Sequence, residues 1–381
     1  MPSVVTDSRG QSTVDPLVVR SDGYRIRRAR ESDRPSILEL YRSILNPIYS
    51  DDWFDWKYVD IPYATELPIV VATTGDEVVG AGGFVPLEMH TGCDTVMAVQ
   101  PCDAAVHPNH RRQGLYTDIL GAALDDYTAK GVAFAFDFPN RLSRGTFEKH
   151  GWRPVGNRES FVRIQRPSGM LGHGVARLLD PLCPHVASAV TRTIGSTPGK
   201  ADVHAVEITC VDGVPASTFA ALYLEHIPDG FHAYRDERFY DWRFANPLVN
   251  YRSYIAAQDG QPTAAVIAGR TTTGRGATTY LSDVLPLAGV QAPTGSFAAL
   301  ADAVIRDHAD ADVVIAPPSN IPQAVLNRYG FLSNRRLPLS LVSQQTVHGV
   351  KPLARPTGVV NGQSLHDASA WTMTFAEFDT H

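Results

Sequence analysis

The sequence predicts an α/β fold built as two copies of one unit. Three observations carry this expectation. Strand-like and helix-like periodicities alternate through most of the 381 residues. The order of elements that begins near residue 24 starts again near residue 203. Four local landmarks then recur at almost constant spacing. Asp55-Trp56-Lys57-Tyr58 and Asp241-Trp242-Arg243-Phe244 lie 186 residues apart, Asp103 and Asp283 lie 180 apart, and Pro139-Asn140 and Ser319-Asn320 also 180 apart. His150-Gly151-Trp152 and Tyr329-Gly330-Phe331 lie 179 apart.

The elements follow from local pattern. Residues 24–29 alternate and read as a strand. Ser32 and Asp33 cap a helix with Pro35 in its first turn and an apolar face of Ile37, Leu38, Tyr41, Ile44 and Leu45. A short helix holds Trp53, Trp56 and Lys57. Strands over 68–73, 77–89 and 95–106 are separated by turns at Gly75-Asp76 and Gly92. A basic loop leads to a helix over 114–130, then come a strand over 132–138, a helix over 140–150 and a strand over 151–165. The second copy reads as a strand over 203–211, helices over 215–226 and around 239–244, strands near 251–257, 263–270 and 278–285, a helix over 295–308, a strand over 313–316 and a helix over 320–329. This divides the chain into a flexible leader over 1–22, a first unit over 23–166, a Pro-containing linker with helical patches over 167–200, a second unit over 201–346 and a tail over 347–381.

Composition narrows the function classes. Apolar residues make up 44% and charged residues 19%, which suits packed cores and excludes a disordered or coiled-coil chain. The net charge of −6 gives no global attraction to phosphate backbones, so nucleic acid is not an expected partner. Cys93, Cys102, Cys183 and Cys210 form no CxxC pair and read as reduced thiols of a cytoplasmic protein. No signal-peptide pattern or apolar run near 20 residues is seen, so no membrane partner is expected.

The most informative segment is Ala105-Val106-His107-Pro108-Asn109-His110-Arg111-Arg112-Gln113-Gly114-Leu115-Tyr116. A strand ends at Val106 and a helix begins at about Gln113. Free N–H groups and the helix dipole make such a junction an anion site. Gly114 allows close backbone approach, and Arg111 and Arg112 add charge-assisted donors. The same residues also fit a solvated strand-to-helix connection.

Arg111-x-x-Gly114 in this setting resembles motif A of the GNAT superfamily of acyl-CoA N-acyltransferases, written Q/R-x-x-G-x-G/A. Tyr116 departs from its last position. Asn140, with Phe147-Glu148-Lys149-His150-Gly151-Trp152, resembles the family's second signature. The resemblance covers residues 24–165 through motifs and 203–346 through element order. It implies two tandem GNAT-like domains, each a mixed, mostly antiparallel sheet flanked by helices. It implies that acetyl-CoA is the co-substrate, bound by the strand backbone of Ala104, Ala105 and Val106, by Arg111, Arg112, Gln113, Gly114, Leu115, Tyr116 and Thr117 of the loop and helix start, and by Asn140. The second copy has no Lys or Arg between Asp283 and Gly295, so it reads as degenerate, and one CoA per chain is expected.

Acyl transfer to an amine needs a neutral amine, a polarised thioester carbonyl and a proton for the leaving thiolate. Many family members supply that proton from a Tyr, where this chain has Phe147. Asp103 is the candidate base, although its match at Asp283 in the degenerate copy favours a structural hydrogen bond. Glu88, Asp137 and the C-terminal carboxylate are further candidates. His107 and His150 read better as surface or capping residues, and Trp53 and Trp56 as pocket walls or core. The expected function is transfer of an acetyl or short acyl group from acyl-CoA to a small-molecule amine, by direct attack in a ternary complex. The alternatives are a non-catalytic acyl-CoA-binding or scaffold protein, and aminoacyl transfer from charged transfer RNA, which the acidic chain disfavours. An oligomer is compatible with the sequence.

Overall fold

The computed structural model describes residues 16–139, 144–166, 206–273, 276–288, 294–318, 321–337, 339–341 and 346–379. The expected linker at 167–200 lies outside the described residues. In the first half, β1 (Val18–Val19) and β2 (Tyr24–Arg28) precede α1 (Arg34–Ile44) and α2 (Asp51–Phe54). Strands β3 (Ile69–Thr74), β4 (Glu77–Thr91) and β5 (Thr95–Val106) form a meander, followed by α3 (Leu115–Ala129), β6 (Phe134–Asp137), α4 (Arg144–Lys149), β7 (Arg153–Arg158) and β8 (Phe161–Ile164). The second half runs β9 (Glu207–Asp212), α5 (Ala216–Glu225), β10 (Phe231–Ala233), α6 (Glu237–Arg243), β11 (Asn250–Gln258), β12 (Gln261–Thr273), β13 (Gly276–Leu285), α7 (Thr294–Asp307), β14 (Val313–Ala316), α8 (Gln323–Arg328), β15 (Leu332–Ser333) and β16 (Thr346–Pro352). The meander β11-β12-β13, then α7, β14 and α8, repeats β3-β4-β5, then α3, β6 and α4.

Two mixed sheets result. The first has the order β1-β2-β3-β4-β5-β6-β16-β7, with β10 on β4, and the second β15-β8-β14-β13-β12-β11-β9. Each contains one parallel pair, β5 with β6 and β13 with β14. Within the leader expected over 1–22, Val18–Val19 pairs with β2.

The strands do not sort by position along the chain. The strand expected over 151–165 is two strands in different sheets, because the chain turns a corner at Glu159-Ser160. There Ser160 N donates to Asn334 Oδ1 at 3.0 Å and Ser333 Oγ donates to Glu159. Beyond the corner β8 pairs with β14. In return β16, from the C-terminal part of the chain, lies between β6 and β7, with Gly349 opposite both Asp137 and Pro154.

Three cores follow. One lies under α3 and α4 and includes Leu115, Ile119, Leu120, Phe147 and Trp152. Another lies under α7 and α8, around Phe297, Leu300, Val314 and Leu326. The third joins the halves and draws on α1, α2, α5, α6, β5 and the chain beyond β16. At its centre the repeated tryptophans meet: Trp56 Nε1 donates to Trp242 O at 2.7 Å, and Trp242 Nε1 donates to Trp56 O at 2.8 Å. This reciprocal pair is what an approximate two-fold between the units would place there. Among the described residues no helix is long and apolar enough to cross a membrane.

Candidate functional site

β5 and β6 touch only at Ala98–Phe134 and Val99–Ala135. Beyond those pairs they splay, and β5 runs on with β4 along one edge alone. Ala105 pairs with Ala81 and Val106 with Gly80, so the other edge of Ala104–Val106 faces the splay. The ladder register slips between Ala81 and Gly83, a bulge that leaves Asp103 with φ 42°.

The loop after β5 is a 3-10 turn at Pro108–His110. Arg111 Nε then donates to Val106 O at 3.0 Å, which folds the loop back over the strand end. Arg112 and Gly114 both adopt positive φ, 64° and 79°. They delay the helix to Leu115, two residues after the start expected near Gln113, and the first N–H groups of α3 have no intrahelical acceptor. Arg111, Arg112, Gln113 and Gly114 are exposed, whereas the Leu115 side chain is in the core, so Leu115 contributes only its backbone. Thr117 O accepts from His150 Nε2 at 2.9 Å, which gives His150 a structural role at the helix start. Arg20, within the expected leader, also holds the junction: Nη1 donates to Gln113 O at 2.9 Å and pairs with Asp118 at 2.5 Å. Asn140 lies outside the described residues.

The Asp103 side chain is 8% exposed and doubly held. Its Oδ2 meets Lys57 Nζ and accepts from the Tyr58 hydroxyl, both at 2.5 Å. Both donors come from one π-helical turn, Asp55–Val59, in which Asp60 N reaches back five residues to Asp55 O at 2.8 Å. That wider turn places consecutive residues 57 and 58 on the same carboxylate. Gly83 makes room for it, since a Cβ there would overlap the Tyr58 hydroxyl. Among the described residues Oδ1 of Asp103 accepts no hydrogen bond. Burial alone would pull the Lys57 ammonium down, but the adjacent Asp103 more than reverses this and Lys57 stays charged. Burial, then the charge of Asp103, pushes the Tyr58 phenol well up.

Two further acids converge here. Asp137 ends β6 at the splay, and burial followed by the neighbouring Asp379 holds its carboxyl well above the usual range. Asp379 arrives from the C-terminal tail; burial pushes it up to about 6 against the pull of Lys57. Its carbonyl accepts from Lys57 Nζ at 3.4 Å, and Phe378 before it stacks on Phe138 at 3.8 Å. Tyr116 turns inward, toward the position opposite the bulge, with its ring 3.5 Å from a Cβ built at Gly82. Its phenol is raised by burial, then by Asp137, Cys102, Asp379 and Asp103. Phe147 packs edge-on against Trp152, with ring centroids 4.7 Å apart. Sequence reasoning missed Lys57, Tyr58 and Asp379. A signal for Lys57 existed, because Arg243 is basic at the matching position of the repeat. Among the described residues no three His, Cys, Asp or Glu are placed to hold a metal ion. A cavity of about 360 Å³ lies at the opposite end of α3, lined by Leu67, Met97, Tyr127 and Lys130 among others, away from both loop and acids.

Strand splay, bulge and cationic helix start agree with one finding. Residues 25–155 match the model of the acetyltransferase (GNAT) domain. These residues form a GNAT domain. Solved structures extend the likeness beyond it. A GCN5-related N-acetyltransferase from Anabaena variabilis is 12% identical, with 87% of this chain and 73% of that chain covered at a TM-score of 0.57. One from Kribbella flavida is 14% identical, covering 88% and 72% at 0.54. A conserved protein of unknown function from Enterococcus faecalis, a probable N-acyltransferase, is 12% identical, covering 88% and 74% at 0.58. At such identities the likeness is one of fold, and it takes in chain well beyond the GNAT domain. No curated protein matches the sequence.

Proposed function

We propose that the chain is an N-acyltransferase that moves an acetyl or short acyl group from acyl-CoA to an amine of a small molecule. The observation that carries this reading is the open edge of β5, which leads from the cationic start of α3 to the buried carboxylate of Asp103. Bound acyl-CoA supplies an activated acyl thioester. The N–H groups at the start of α3, with Arg111 and Arg112, hold its pyrophosphate, and the open backbone of Ala104–Val106 holds the pantetheine arm and polarises the thioester carbonyl. The amine nitrogen bonds to the acyl carbon, the carbon–sulfur bond breaks, and amide and CoA thiol leave. Asp103 Oδ1 orients the amine and takes its proton, while Lys57 and Tyr58 fix the carboxylate. Phe147 has no acidic proton to give, so the sulfur draws its proton from the Tyr116 phenol or the Asp137 carboxyl, both of which burial pushes toward the protonated form. The second unit lacks the loop cations and binds no CoA by this means.

A panel of amine acceptors with thiol detection tests the reading. Acceptor-dependent thiol release above the hydrolysis rate is expected. Absence of release from every acceptor, with acetyl-CoA bound, supports the scaffold alternative that the buried Phe147 favours.

The loop has its own expected result. Arg111→Ala removes a charge-assisted contact of about 1.5–3 kcal/mol and should raise the acetyl-CoA dissociation constant about tenfold or more. Gly114→Val should be as harmful, because a β-branched residue is strained at φ 79° and fills the space beside the anion. Unchanged affinity in both variants would make the loop a solvated turn.

A further inference from the structure

The second unit repeats the cleft geometry of the GNAT domain, and the cleft is occupied. β13 and β14 pair only over Thr278–Tyr280 and Val313–Ile315. The β12–β13 register slips between Ile267 and Ala268, just before Asp283, as the β4–β5 register slips at Asp103. In the resulting slot lies the chain's own C-terminal tail. Phe375 sits edge-on to Tyr280 with ring centroids 5.7 Å apart, and Thr374 Oγ1 donates to Asp283 Oδ1 at 2.8 Å. What remains of the slot is a cavity of about 130 Å³ bordered by Tyr280, Pro317, Thr374 and Phe375.

The fastening is ionic and wholly enclosed. Arg235, with 0% exposure, pairs with Asp283 at 3.1 Å and with Glu377 at 2.7 Å. Its Nη2 also donates to Thr374 Oγ1 at 3.1 Å. Glu377 closes a capping box on Thr374 N at 2.9 Å and accepts from Ala233 N at 3.1 Å. Arg243 then holds the next carbonyls, Ala376 O at 2.8 Å and Phe378 O at 2.5 Å. From there the tail crosses to Phe138 and Lys57 of the GNAT domain.

We propose that the second unit's cleft is a dock for the chain's own C-terminal tail, and that Arg235, Asp283 and Glu377 are positioning residues that set Asp379 against Lys57 at the acyl-transfer site. The proposal rests on the acyltransferase reading. A buried arginine between two carboxylates is a weak source of stability, since apolar side chains of similar volume do as well. Its distinctive effect is registry: Asp283 and Arg235 both hold Thr374 Oγ1 and Arg235 also holds Glu377, so the following residues enter the GNAT domain at one depth. Asp283 thereby has a use in a unit without a phosphate loop. Asp103 takes its cation and phenol from the π-turn of its own unit, whereas Asp283 takes Arg235, Tyr240 and the tail hydroxyl.

Glu377→Gln in the full chain is the first test, with Thr374→Val as the milder variant if the first fails to fold. A misplacement of about 1 Å costs about 10²-fold in rate, so kcat should fall by about that factor in Glu377→Gln. The acetyl-CoA dissociation constant should stay unchanged, because Arg111–Gly114 are untouched. Amide exchange over residues 374–379 should rise. An unchanged kcat, or kcat and acetyl-CoA affinity falling together, overturns the positioning role. If the wild-type chain transfers no acyl group, the acyltransferase reading fails by itself. Tail exchange then still decides the docking, and equal exchange in wild type and variant overturns it.

Discussion

A chain ending at Arg166 is expected to be insoluble and to bind no acetyl-CoA. The fragment would contain every residue that matches the GNAT domain, but not the elements that complete it. It would lack β16, leaving β6 and β7 with no strand between them, and its β8 would have no β14 to pair with. The face carrying Phe54, Trp56, Val85, Leu87, Phe134 and Phe136 would lose the second unit and the tail, including Trp371, which packs on Phe134 and Phe136 at 5.7 and 6.0 Å. An exposed apolar face with an open strand gap drives aggregation. Sedimentation and acetyl-CoA titration of the fragment check this. A soluble, monomeric fragment that binds the ligand would show that the GNAT domain folds alone.

The second large effect is expected at Lys57. Lys57→Met strands Asp103 as a buried carboxylate with only the Tyr58 hydroxyl as partner. Breaking a buried ion pair from one side costs about 3–5 kcal/mol. Urea denaturation should show a loss of that order. Lys57→Met combined with Asp103→Asn should recover part of it, because no uncompensated charge is left. A single variant as stable as the wild type would mean that water or another group already satisfies Asp103. Activity should fall in the double variant, whose amide cannot take a proton.

Much of the architecture is legible in the sequence where one element carries its own signal. The meander β3-β4-β5 is bounded by Gly75 and Gly92, and α3 by the loop before it and Gly131 after it. The Trp56 and Trp242 landmarks, noticed as a spacing, are in contact. The exchange of β8 and β16 between sheets is not legible, because a period of two says which face a side chain takes and nothing about which sheet the strand joins. The π-turn at Asp55–Val59 has the residues of an ordinary helix, and what sets it apart, the contacts of Lys57 and Tyr58 with Asp103, is tertiary. Asp379 was equally hidden. Its environment is made by residues from both units, and the tail segment Phe375-Ala376-Glu377-Phe378-Asp379 shows no helical or strand period. The break between β5 and α3 at Arg111 to Gly114 is legible as a junction because its polar, glycine-containing run interrupts both periods locally.

Isothermal titration of the full chain with acetyl-CoA tests the central claim most directly. Among the described residues only the GNAT domain combines an open strand edge with loop cations, while the matching slot of the second unit holds the tail. A single site per chain is therefore the predicted result. No binding at millimolar ligand, or two molecules bound per chain, would contradict it.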